Sequence, residues 1–377
     1  MKRILYTSWY TGLGGGETDL LTLAEALDHA RFETQLLVPA AGKLQQRWRE
    51  AGWDAHTLPY RGASTWFVPG LWARFPGVRR MTDLLAAQRI DLVHSDYHTL
   101  PLIAAAAQRL GLPVLWTVWG WWFEPKAWQR AFFRSLPAVA RTCAIRTGFL
   151  GSPPFMPTER LPVIYTGIDS ARFRPGLGSG LRRELDIADD ALVVAMAARF
   201  QPVKGHHIFQ AMAERVLAAQ PEARFVVAGD DVFGVTADQR YREQILERAR
   251  KRPALRDSLQ YIGFRHDIEA VYAAADVFVC PSDFESYGIA NLEAMACGLP
   301  VVSTRRGGPS ETIVPGETGY LVDVGDVDAL AAAVLRLLDD AGLRKRMGAA
   351  GRRRAKESFS ISAAADAHMQ LYDRLLR

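Results

Sequence analysis

Short apolar runs, each followed by a turn and then a helix-patterned stretch, recur along the whole 377-residue chain. No other feature constrains the fold as much, because strand–loop–helix repetition builds parallel sheets covered by helices on both faces. The runs fall near 3–8, 34–38, 54–58, 91–94, 113–118 and 140–145, with helical patterns at 17–30, 78–88 and 98–110 between them. The rhythm breaks at Ile164-Tyr-Thr-Gly167, and Gly176-Leu-Gly-Ser-Gly180 follows shortly after. Turn formers and glycines so concentrated mark a linker around 166–180. A second set of runs then lies near 191–197, 223–228, 259–262, 276–280, 300–303 and 319–322. The expectation is an α/β chain of two facing Rossmann-like domains with parallel sheets, residues 1–165 and 166–360. An amphipathic helix at 361–377 packs back on one of them.

Bulk properties exclude several classes. Hydrophobic residues make up 49% and charged residues 23%, the profile of a globular chain with a core. No stretch approaches the roughly 20 apolar residues that cross a bilayer. Met1-Lys-Arg-Ile-Leu-Tyr-Thr-Ser8 runs straight into a strand pattern without an h-region and cleavage site, so the expected location is cytoplasmic. Cys143, Cys280 and Cys297 have no metal-type spacing, and an odd count makes no disulfide frame. No metal and no cofactor is expected.

The net charge of +5 is unevenly spread: residues 1–165 hold 18 Lys/Arg against 12 Asp/Glu, and residues 166–377 hold 28 against 29. The first half also gathers aromatics among cations, in Trp66–Phe75 and again from Trp119 to Arg134. Two readings stand side by side. Such segments suit an anionic membrane surface on its inner face and an amphipathic acceptor; they equally suit core packing around an aromatic acceptor pocket. Basic residues form no stripe and no recognition motif, which argues against nucleic acid.

The chemistry-bearing residues fall just after strands, where open parallel sheets bind ligands. Arg199 and Lys204 straddle the turn after the run 191–197. A planar guanidinium and a compact ammonium at that spacing can share one diphosphate, although cations at turns are commonly just solvated. After the run 276–280, Glu285 sits in a loop and Gly288 near a helix start, so backbone N–H groups of Tyr287, Gly288 and Ile289 can face an anion. Glu293 lies in an apolar helical run, where a carboxylate needs partners. Vicinal sugar hydroxyls or a buried arginine would each serve. Gly307-Gly308 allows close backbone approach, and Glu311 favours a helix start.

Taken together, these segments resemble the family-4 retaining glycosyltransferases, which have the GT-B architecture. The resemblance rests on Arg199…Lys204-Gly205, on Glu285-Ser-Tyr-Gly288…Glu293-Ala-Met-Ala-Cys-Gly298-Leu-Pro300, and on Gly307-Gly308…Glu311. Gly316-Glu-Thr-Gly319, Gly167-Ile-Asp169 and Gly14-Gly-Gly-Glu17 add to it. It implies a nucleotide-sugar donor (UDP-, GDP- or similar) and a hydroxyl acceptor, in some members lipid-linked. It also implies Arg199 and Lys204 on the diphosphate, Glu285 on the donor sugar, Glu293 on the ribose, and Gly15 and Gly16 closing over the donor. Members retain anomeric configuration without a clear protein nucleophile.

One departure stands out. Relatives carry a histidine in the turn after the run 113–118, where this chain has Trp119. His94, Asp96 and His98, after the fourth run, are the remaining polar candidates for the acceptor side, against a purely structural role. A sugar-nucleotide epimerase, a phosphorylase and a non-catalytic binding subunit remain alternatives. The glycine-rich loop Gly12–Gly16 does not complete a dinucleotide fingerprint: its sixth position is Glu17, and the second strand ends in Val38-Pro39 without an acidic residue.

Overall fold

The computed structural model describes residues 1–60, 62, 76–118, 139–143 as backbone, 162–176, 180–231 and 236–377. It divides into two compact units, Met1–Gly167 with Ile361–Arg377, and Ile168–Ser360.

Unit 1 holds a six-stranded parallel sheet of β1 (Lys2–Thr7), β2 (Phe32–Val38), β3 (Asp54–Thr57), β4 (Leu92–Ser95), β5 (Val114–Val118) and β6 (Val139–Cys143). The strand order is β3-β2-β1-β4-β5-β6. Helix α1 (Gly15–Ala26) follows β1 and helix α2 (Leu100–Arg109) follows β4. One face of the sheet buries Leu5, Val93 and Trp116 with Leu100 and Ile103 of α2. The other buries Ile4, Tyr6, Leu36 and Trp48 with Ala365, Leu371 and Tyr372 of the final helix (Ile361–Leu375), which therefore belongs to this unit.

Unit 2 repeats the plan with β7 (Val193–Ala197), β8 (Arg224–Ala228), β9 (Leu259–Tyr261), β10 (Val277–Cys280), β11 (Val301–Thr304) and β12 (Gly319–Val322), ordered β12-β11-β10-β7-β8-β9. Strands β10 and β11 are buried at every position. Covered on both faces, β10 is apolar throughout (Val-Phe-Val-Cys), while β11 ends in Ser303 and Thr304, whose buried hydroxyls donate to the Thr304 and Ser282 carbonyls. Helices α3 (His206–Ala219), α4 (Ile268–Ala274) and α5 (Ile289–Ala296) follow β7, β9 and β10.

All twelve expected strands are present with ends within two residues of the sequence reading. Helix α1 begins at Gly15 rather than near 17, so Gly15 and Gly16 lie inside its first turn. Glu17 explains the early start: its carboxylate accepts from the Gly14 N–H at 3.0 Å and satisfies a donor the helix leaves open. Among the described residues, no helix is long and apolar enough to cross a membrane.

Candidate functional site

In each sheet the chain first builds outward on one side of its first strand, then crosses to the other. The loops after β1 and β4, and those after β7 and β10, therefore diverge at a switch point, and crevices form at such points beyond the strand ends. Among the described residues singled out from the sequence, Gly15, Gly16, Asp96, His98, Arg199, Lys204, Glu285, Tyr287, Gly288, Ile289 and Glu293 sit on those four loops or on the helices they lead into, His94 lies within β4, and Gly307, Gly308 and Glu311 follow β11.

In unit 2 the loop after β7 closes in a 3-10 turn, Pro202–Lys204, ended by Gly205 at φ 72°. A Cβ on Gly205 would lie 2.2 Å from the Pro281 carbonyl, so only glycine lets this loop press against the end of β10. The Asp283 N–H donates to the Val203 carbonyl at 2.8 Å and fastens the two loops together. A third loop, after β11, joins them: the Gly308 N–H donates to the Glu285 carbonyl at 2.9 Å. At Gly307 (φ 87°) a Cβ would meet that same carbonyl at 2.0 Å.

These backbone contacts bring together side chains 81 positions apart. The Lys204 ammonium donates to both Glu285 oxygens, at 2.8 and 2.9 Å, and the Ser282 hydroxyl donates to Oε1 at 2.7 Å. The pair is largely enclosed, with side-chain exposures of 18% and 13%. Burial alone would push the Glu285 carboxyl up. The Lys204 charge, helped by the Ser282 hydroxyl, outweighs it and holds the group below the usual glutamate range. Burial pushes the neighbouring Cys280 thiol up to about 12, so it stays protonated.

Gly288, left-handed at φ 85°, caps α5, whose N-terminus opens beside Glu285 in sequence. Glu293, one turn inside α5, accepts from the Tyr272 hydroxyl at 2.6 Å. Burial raises its carboxyl to about 7, against the lowering effects of that bond and of Arg172. Among the described residues Glu293 forms no ion pair, so the arginine partner that the sequence left open is not there. At Arg199 the carbonyl accepts from His206 Nε2 at 2.9 Å. The His206 ring stacks on Phe200 at 4.3 Å, and burial drives its pKa down to about 4, so it is neutral at pH 7 and braces the Arg199 turn.

In unit 1, Gly15 and Gly16 start α1. Asp96 accepts from the Thr7 hydroxyl at 2.9 Å and from the N–H groups of His98 and Thr99 at 3.0 and 3.2 Å, which holds the turn after β4. His94 is buried, hydrogen-bonded through Nδ1 to the Tyr372 hydroxyl (2.8 Å) and through Nε2 to Thr117 (2.7 Å); burial keeps its pKa well below the usual value. His98 is buried too, with Nε2 3.3 Å from the Tyr10 hydroxyl. Trp119, and the aromatic segments Trp66–Phe75 and Trp119–Arg134, lie outside the described residues.

Two hydrogen-bond partners of the Glu285 and Glu293 carboxylates carry no signal in the sequence. Ser282 was visible three residues before Glu285 but carried no role. Tyr272 lies on another helix, 21 residues upstream of Glu293, and no spacing rule connects them. A small cavity of unit 1 was not anticipated either. It is lined by Asp19, His94, Thr117, Thr166 and His368, and burial pushes the Asp19 carboxyl up to about 8.

Comparison with known proteins bears on this arrangement. A profile described as "Glycosyl transferases group 1" matches residues 180–354, and one described as "Glycosyl transferase 4-like domain" matches residues 14–146. The lipopolysaccharide core biosynthesis mannosyltransferase LpsB of Rhizobium meliloti is 30% identical over 256 residues, 66% of this chain and 69% of that one. The GDP-mannose-dependent monoacylated alpha-(1-6)-phosphatidylinositol monomannoside mannosyltransferase of Corynebacterium glutamicum is 33% identical over 225 residues, 57% of this chain and 55% of its own length. The match thus spans about half the length of that relative. The crystal structure of Anabaena Alr3699/HepE in complex with UDP and glucose superimposes with a TM-score of 0.82 at 21% identity, covering 99% of this chain and 100% of that one. That likeness establishes the two-sheet GT-B fold.

Proposed function

The chain belongs to the glycosyl transferases group 1, the family-4 type, and from that premise we propose that it moves a sugar from a nucleoside-diphosphate donor to a hydroxyl acceptor with retention of anomeric configuration. The observation that carries this reading is the Lys204–Glu285 clasp at the switch point of the second sheet, directly before the N-terminus of α5.

Each part has a physical task. Departure of the nucleotide builds negative charge on phosphate oxygens, and preorganised cations and amides aimed at that charge lower the barrier. Lys204 and Arg199 would supply the cations, and the start of α5 at Tyr287, Gly288 and Ile289 would supply the amides. Glu285, ionised at neutral pH because Lys204 stabilises it, would accept hydroxyls of the donor sugar. Glu293, one turn further along α5, would accept from the ribose. Gly15 and Gly16, which open α1 at the switch point of the first sheet, are further donor-binding candidates.

For the acceptor we propose a lipid-linked or other amphipathic alcohol reached at the inner membrane surface. The aromatic and basic composition of the first half supports this, as does the phosphatidylinositol mannoside named for the Corynebacterium relative. Asp96 and His98 after β4, His94 within β4, and Trp119, which follows Val118 in sequence, are the acceptor-side candidates.

Nucleotide release tests the reading. The wild-type protein should release nucleoside diphosphate from its cognate donor only when an acceptor is added. The product should keep the donor's anomeric configuration by proton NMR. Binding without acceptor-dependent release would instead make the chain a non-catalytic sugar-nucleotide binder. For the membrane step, co-sedimentation should increase with the anionic lipid content of vesicles, and indifference to it removes that part.

A further inference from the structure

We propose that Tyr272 positions Glu293 for the ribose of the donor: its hydroxyl pins one carboxylate oxygen and leaves the other to meet a ribose hydroxyl. This rests on the donor-site reading above and adds a residue to it.

The phenol of Tyr272 is 1% exposed, and its ring is held edge-on between Phe173 and Phe278 with centroids 6.0 and 5.4 Å away. A buried phenol must place its O–H on an acceptor, and rings locked on both sides leave it little freedom to choose. The acceptor is Glu293 Oε2 at 2.6 Å, the short distance of a charge-assisted bond. Glu293 Oε1 accepts from no group among the described residues, yet it is not one of the sealed, unpartnered atoms of the interior. One oxygen is therefore anchored and the other is open.

The surrounding charges do not neutralise this carboxylate. Arg172, the nearest cationic influence, is itself paired with Glu269 at 3.0 Å. Cys297, one turn on, stays protonated because burial pushes its thiol up to about 12. Arg352 donates to the Ala296 carbonyl rather than to Glu293. A carboxylate kept for structure alone would be expected to carry an arginine partner. One held by a single neutral phenol keeps lone pairs for something else. Its place also suits a ribose: four residues into α5 is about 6 Å along the axis from the helix start, and helical side chains lean back toward the N-terminus. A diphosphate at the helix start would bring its ribose alongside.

The test compares Tyr272→Phe with wild type, titrating UDP, GDP and their 2′-deoxy forms by calorimetry. Phenylalanine keeps the ring packing. The wild type should prefer the ribonucleotide. Tyr272→Phe should weaken ribonucleotide binding roughly tenfold, the effect of one good hydrogen bond, and leave the deoxynucleotide almost unchanged. The pH profile adds a readout that packing alone would not move. Ribonucleotide affinity should rise as Glu293 ionises near pH 7, and the midpoint should shift to higher pH in Tyr272→Phe, which loses a bond that favours the carboxylate. Glu293→Gln should abolish the ribose preference, and Tyr272→Phe in that background should add nothing. Equal weakening of ribo and deoxy forms, or an unshifted midpoint, overturns the role of Tyr272 while leaving the donor site standing. Failure of the wild type to bind either diphosphate overturns the donor site and this inference with it.

Discussion

The sheets of units 1 and 2 share one strand order, but different chemistry stands at their switch points. In unit 2 the loops after β7 and β10 hold a charged pair, Lys204 and Glu285, fixed by glycines that allow three loops to touch. In unit 1 the turn after β4 is closed by Asp96, whose carboxylate takes a hydroxyl and backbone N–H groups. Behind it a chain of uncharged groups, Tyr6, Tyr372, His94 and Thr117, runs to the final helix. Topology provides a crevice in both. Whether charge is kept there for a ligand is decided by a few loop residues, which is why a shared fold does not fix function.

The largest expected contrast comes from removing the cation. Lys204→Ala should lower turnover by about 10²–10³-fold, the usual loss when a preorganised charge-stabilising group is deleted, measured as initial rates of nucleotide release. Neither Tyr6→Phe nor Tyr372→Phe should approach that. Next, Gly205→Ala should cost about 2–4 kcal/mol in urea unfolding, since it forces an alanine to positive φ and drives its Cβ into the Pro281 carbonyl. A cost near zero would mean the loops of unit 2 are not locked as described.

Within unit 2 the two carboxylates should respond to pH with opposite signs. Glu293 has a folded pKa raised to about 7, so the folded state holds its proton more tightly and stability falls as pH rises from about 4.5 through 7. Glu293→Gln should therefore be more stable than wild type at pH 8, on the order of 1–2 kcal/mol after allowing for solvent access, and nearly equal at pH 5. Glu285 is held low by Lys204, so its contribution is present above the ordinary glutamate pKa and disappears as pH falls through its own. Denaturation curves at pH 8 and 5 check Glu293, and curves carried downward from pH 5 check Glu285. The smallest effect belongs to unit 1: Tyr6→Phe removes one hydroxyl from a buried chain and should cost about 1 kcal/mol, with nucleoside-diphosphate affinity unchanged by calorimetry.

The strands were legible because burial on both faces favours apolar runs, and Val193–Ala197 and Val277–Cys280 supply them. The start of α1 was less so, because a glycine pair reads as loop unless the Glu17 capping bond is recognised. Arg199, Lys204, Glu285 and Glu293 could be picked out by residue type and position after strands. What held each could not. The contact of Lys204 with Glu285 is a product of sheet order and of Gly205, and the partner of Glu293 is a tyrosine from a helix that packs beside it only in three dimensions. In unit 1 the sequence marked His94 as a polar candidate, but its burial among Tyr372 and Thr117 depends on where the last helix docks.

A diphosphate held at the second switch point is what every role above depends on, and a crystal structure grown with whichever of UDP and GDP binds more tightly tests it most directly. Phosphate oxygens within about 3 Å of Lys204 Nζ and of the first N–H groups of α5, with the ribose at Glu293, are the predicted result. A nucleotide bound away from α5, with Lys204 and Glu285 still closed on each other, would contradict it.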